Sequence, residues 1–132
     1  MSIPQSGGGL IEDFDELAAY MASGCKPKAD WRIGTEHEKF GFLTGSHLPL
    51  PYDGPASVRA VLEGIRDRFG WTPVMEQDHI IGLTKGGANV SLEPGGQLEL
   101  SGAPLTDIHQ TRAELLSHLA EVSAVAGPMG VG

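Results

Sequence analysis

The sequence predicts an α+β fold, an antiparallel sheet with helices packed over one face. Three observations predict it. Short alternating runs at 80–84, 88–93 and 97–101 follow one another with only KGG and PGG between them, the pattern of an antiparallel meander. Stretches before and after these runs repeat apolar residues at helical spacing. Within the runs, Ala88, Val90 and Leu92 oppose Asn89, Ser91 and Glu93, while Leu98 and Leu100 oppose Gln97 and Glu99. Such a sheet has one apolar face for helices and one polar face for something else.

In chain order, residues 1–10 are expected to be a flexible start and residues 11–132 part of one domain. A first helix is expected over 11–23, where Phe14, Leu17, Ala18 and Met21 recur at helical spacing and acids crowd the first turn. Gly24 stops it. A strand from Arg32 to about Phe42 follows, with Gly34, Glu36, Glu38 and Phe40 on one face and Ile33, Thr35, His37 and Lys39 on the other. TGSHLPLPYDGPAS is a loop whose prolines exclude a helix. A second helix occupies about 56–69, its stripe made by Val58, Val61, Leu62, Ile65 and Phe69. Gly70 ends it, and a short strand runs from Trp71 towards Glu76 before the meander begins. A last helix starts near Thr106 and stops at Gly127 and Pro128. The closing GPMGVG reads as a connection leading onward.

The totals narrow the function. At 132 residues the chain is one domain's worth. A formal net charge of −8 with no long Lys/Arg run disfavours a nucleic-acid partner. No apolar stretch reaches membrane-spanning length, and MSIPQSGGG lacks a signal-peptide core. The single cysteine, Cys25, cannot form an internal disulfide, and a reducing, cytoplasmic setting is expected.

The chemistry gathers on four glutamates. Glu36 and Glu38 share a strand face roughly 6.6 Å apart. Glu93 and Glu99 share the polar face of the meander. An exposed strand glutamate is ordinarily a solvated face; two strands that each present acids beside several glycines suit a cation instead. Oxygen ligands without supporting cysteine favour Mg²⁺ or Mn²⁺ over Zn²⁺. His37 sits between the two acids in sequence, but alternation points it to the opposite face, where a structural role is expected. Arg32 suits a carboxylate or phosphate, or a salt bridge at the strand end. Gln97 offers a donor and an acceptor for an amino-acid substrate, or for tying the PGG turn. Neither glycine pair is a P-loop, because no GK[ST] follows. Cys25, beside Lys26 and Lys28, has no companion for nucleophilic catalysis.

WRIGTEHEKFGF, IIGLTKGGANVSLEPGGQLELSGAPL and HQTRAEL, with ASGCKP upstream, closely resemble the N-terminal part of glutamate–cysteine ligases of the plant and proteobacterial branch. The resemblance covers most of residues 11–127. It implies a glutamine-synthetase-like carboxylate-amine ligase that uses ATP and Mg²⁺ to join the side-chain carboxyl of L-glutamate to the amine of L-cysteine, the first step of glutathione biosynthesis. It implies that Glu36 and Glu38 are a catalytic, metal-coordinating pair, that Glu93 and Glu99 complete the metal cluster, and that Arg32 and Gln97 contact phosphate or glutamate. Such ligases are several times longer, so the chain is expected to be inactive alone and to associate with the missing part or with itself. The alternatives are a non-catalytic Mg²⁺- or ligand-binding fragment and a subunit whose site a partner completes.

Overall fold

The computed structural model describes residues 9–132; residues 1–8, most of the expected flexible start, lie outside the described residues. Helix α1 spans Phe14–Ser23. It begins three residues later than its apolar pattern because Asp13 caps it, accepting from the Glu16 amide at 2.7 Å. Its stripe packs on nothing within the described residues: Phe14 is 79% and Met21 70% exposed. A short 3₁₀ turn at Lys28–Asp30 then leads to strand β1, Glu36–Phe40.

β1 is shorter than the expected 32–42. Beyond its ends the extended backbone makes only single bridges, Ile33 to Leu105, Phe42 to Pro49 and Leu43 to Val131. Helix α2, Val58–Phe69, is capped by buried Ser57, whose Oγ accepts from the Ala60 amide and donates to the Gly54 carbonyl. It ends at Gly70, which is left-handed at φ +70°.

Strands β2 (Thr72–Glu76), β3 (His79–Lys85), β4 (Ala88–Glu93) and β5 (Gln97–Ser101) form the meander. Gly86 and Gly87 both have positive φ between the paired residues Lys85 and Ala88, as a two-residue hairpin turn requires. β1 adds beside β5, so the five-stranded order is β1-β5-β4-β3-β2, antiparallel throughout. Helix α3, Ile108–Ala126, starts where Asp107 accepts from the His109 and Gln110 amides.

The core lies between the sheet and the two later helices. Leu62 and Ile65 of α2 are wholly buried, as are Leu83 and Val90 of the sheet. Side-chain ties brace the layers: Trp71 Nε1 donates to Glu121 of α3 at 2.7 Å, and Tyr52 Oη donates to the Ile80 carbonyl at 3.0 Å. The expected α+β architecture, with helices on one sheet face, is thus what forms.

His118 of α3 is the discordant group in this layer. It is 3% exposed, and neither ring nitrogen has a hydrogen-bond partner among the described residues. Lys39 and His37 face it from β1; Lys85, Glu114 and Glu121 line the same small cavity. Burial first, then the charges of Lys39 and His37, push its pKa from 6.5 to about 4. The unfolded chain therefore takes up a proton near pH 6.5 that the folded chain refuses until about pH 4. Above pH 6.5 the group is neutral in both states; as pH falls through that window it costs stability progressively. Urea midpoints should fall more steeply across this window for the parent chain than for His118→Gln. Parallel pH profiles would clear His118 as the cause.

Candidate functional site

The pairing register builds the polar face row by row. Side chains directly opposite in a ladder share a face. The first row is Glu36, Ser101 and Asn89; the second is Glu38, Glu99 and Ser91; the third is Phe40, Gln97 and Glu93. All four glutamates therefore lie on one face of β1, β5 and β4, opposite the face that buries Val90, Leu98 and Leu100.

Their environments differ. Glu36 and Glu38 are exposed on β1, which is an edge strand. Glu99 is only 5% exposed, and its Oε1 accepts from Ser101 Oγ at 2.6 Å. Glu93 Oε1 accepts from Ser91 Oγ at 3.0 Å. Glu38 stands directly opposite Glu99, so two like charges face each other across the ladder. Among the described residues no Lys or Arg forms an ion pair with Glu36, Glu38 or Glu99. Asn89 Oδ1, on the first row, is buried without a partner among the described residues.

These donors suit a hard divalent cation: all are oxygens, with an amide carbonyl that has no partner among the described residues beside them. They do not enclose one. Among the described residues no three carboxylates or imidazoles converge closely enough to hold an ion. The face offers part of a coordination sphere.

The other predicted residues sit around it. Gln97 is half-buried on the third row, between Phe40 and Glu93. Arg32 lies before the ladder, its guanidinium donating to the Ala29 and Trp31 carbonyls rather than to a carboxylate. His37 and Lys39 are on the helix side, as alternation requires. Lys39 Nζ donates to the His37 carbonyl and lines an apolar cavity of about 410 Å³ with Leu50, Val58, Leu98 and Val122. Burial lowers its pKa, and the charge of Glu38 partly opposes that. This cavity is under the sheet, on the far side from the acids.

Sequence reasoning passed over Ser91, Ser101 and Glu114. The two serines had a legible signal, since SLE and ELS both place Ser and Glu two apart on one strand face. Glu114 had none. Its Oε1 accepts from the Ala103 amide at 2.8 Å and fixes the exit of β5. Gly102 permits that approach, because a Cβ there would collide with Glu114 Oε2.

Two comparisons with known proteins bear on this α+β chain and its acid-lined face. The family model described as Glutamate-cysteine ligase family 2 (GCS2) matches residues 32–132. The chain belongs to that family. It is 58% identical over 118 residues to the chloroplastic glutamate–cysteine ligase of Nicotiana tabacum, covering 89% of this chain and 22% of that protein. To the chloroplastic glutamate–cysteine ligase A of Oryza sativa subsp. japonica it is 53% identical over 118 residues, 89% of this chain and 23% of that one. To the chloroplastic enzyme of Arabidopsis thaliana it is 57% identical over 118 residues, with 89% and 22% covered. The chain thus spans less than a quarter of the length of these relatives.

These relatives correct the expectation of a cytoplasmic setting, for each is named chloroplastic. The expectation rested on one unpaired cysteine. That speaks to redox conditions, which do not single out one compartment.

Proposed function

We propose that the chain supplies the acid-lined wall of an ATP-dependent glutamate–cysteine ligase of glutamine-synthetase-like fold. One observation carries the reading: Glu38 and Glu99 face each other across a ladder, flanked by Glu36, and among the described residues no Lys or Arg forms an ion pair with any of the three. Such a pair favours a divalent cation between or beside the two carboxylates.

Glu36, Glu38, Glu93 and Glu99 would hold Mg²⁺ or Mn²⁺, together with donors from the rest of a relative-length polypeptide. The ion, when bound, supplies positive charge to ATP phosphates. In the proposed reaction the γ-carboxylate of L-glutamate attacks the γ-phosphorus of ATP, giving γ-glutamyl phosphate and ADP. The amine of L-cysteine then attacks the mixed anhydride, releasing phosphate and forming γ-glutamylcysteine. This chain's part is positional: the sheet fixes the acids, Gln97 borders them on the third row as a contact for glutamate or phosphate, and Arg32 would serve as such a contact only on leaving the Ala29 and Trp31 carbonyls. The exposed stripe of α1 and the open edge of β1 are surfaces for the remaining polypeptide to cover.

The test is a chimera in which this chain replaces the matching segment of the tobacco enzyme. Assayed with ATP, Mg²⁺, glutamate and cysteine, the chimera should form γ-glutamylcysteine, whereas the 132-residue chain alone should not. A folded but inactive chimera would overturn the ligase reading. Turnover by the isolated chain would show that it needs no further donors.

A further inference from the structure

We propose that Ser101 is a positioning residue for Glu99. The inference rests on the cation reading above, but its evidence is separate. Glu99 is nearly excluded from water, and a buried carboxylate needs strong compensation. What it has is a hydroxyl: Ser101 Oγ at 2.6 Å, the length of a charge-assisted O–H···O⁻ bond. A lysine in that place would also fix the carboxylate, but it would quench the charge. A serine holds one oxygen and leaves the net charge, and the second oxygen, for a ligand.

The arrangement occurs twice. In β5 the order is Glu-Leu-Ser and in β4 it is Ser-Leu-Glu, so each hydroxyl lies two residues from its carboxylate on the same face. The register extends the pattern: Ser101 stands opposite Glu36, and Ser91 stands opposite Glu99. Asn89 Oδ1, buried and with no partner among the described residues, stands opposite Ser101 on the first row, a second polar atom of this face available to a ligand.

The alternative is that Ser101 merely satisfies a buried acid for the sake of stability. Two readouts separate the roles. The first, on the isotope-labelled chain without metal, is the Glu99 rotamer population from NMR coupling constants. The second, on the tobacco chimera, which supplies the further donors, is Mn²⁺ affinity from the electron paramagnetic resonance of the free ion. Ser101→Ala should let Glu99 average over rotamers and weaken Mn²⁺ binding about tenfold, the scale of lost outer-shell support. Ser101→Thr, which keeps the hydroxyl, should restore both. Where the alanine variant does not fold, Ser101→Cys, a weak donor of similar size, gives the same comparison.

A single Glu99 rotamer with unchanged Mn²⁺ affinity in Ser101→Ala would overturn the proposal, as would a threonine variant no better than alanine. Glu38→Gln provides the separate check on the cation reading. If the chimera carrying it binds Mn²⁺ like the parent chimera, or if the parent chimera binds none, that reading falls and the metal-free rotamers alone decide Ser101.

Discussion

Replacing Glu38 by Gln in the tobacco chimera is expected to lower kcat by about 10²–10³-fold while leaving folding intact, the range found when one preorganised charge-stabilising group is lost. Glutamine keeps the shape of glutamate and removes its charge. Glu38 is exposed on an edge strand, so the substitution opens no cavity and strands no buried partner. Its ladder neighbour Glu99 would lose a facing like charge, and the effect on folding should be neutral or favourable by a few tenths of a kcal/mol. A large kinetic loss with an unchanged urea midpoint is therefore the signature of a functional carboxylate. Glu63→Gln on α2, which lies off the acid face, is the matched control. A loss of less than threefold for Glu38→Gln would remove Glu38 from the machinery.

Leu62→Ala should destabilise the chain by about 3–5 kcal/mol, the cost of a large-to-small change where the surroundings cannot collapse. Leu62 is 0% exposed and lies on α2 between other buried α2 positions, Val61 and Ile65. Against a total stability of roughly 5–15 kcal/mol, this is a substantial share. The consequence reaches the acid face indirectly, because the helices hold the sheet from beneath while the glutamates stand on its other side. Urea unfolding would show a lower midpoint with an unchanged slope. A cost below about 1 kcal/mol would mean that α2 does not pack against the sheet as described.

How much of this was written in the chain can be followed residue by residue. β4 and β5 have the boundaries their alternation predicts, because period-two patterning and the glycines at 86–87 and 95–96 are local signals. Locality also placed Glu36 with Glu38, and His37 with Lys39, on opposite faces of β1. The first helix shows the limit of that reasoning. Phe14, Leu17 and Met21 make a clear helical stripe, yet a stripe only states that something should cover it, and nothing within the described residues does.

By itself the sequence determined which residues alternate, where the chain turns, which strands carry acids, and the family to which WRIGTEHEKFGF and SLEPGGQLELS point. Only the tertiary structure decided that β1 lies beside β5 with Glu38 opposite Glu99. It likewise decided that Ser101 holds Glu99 and that Glu114 clamps the chain as it leaves β5. The physical reason is range. The face of a strand follows from its own geometry, whereas its neighbour and register depend on how residues far apart in the chain bury their apolar side chains together.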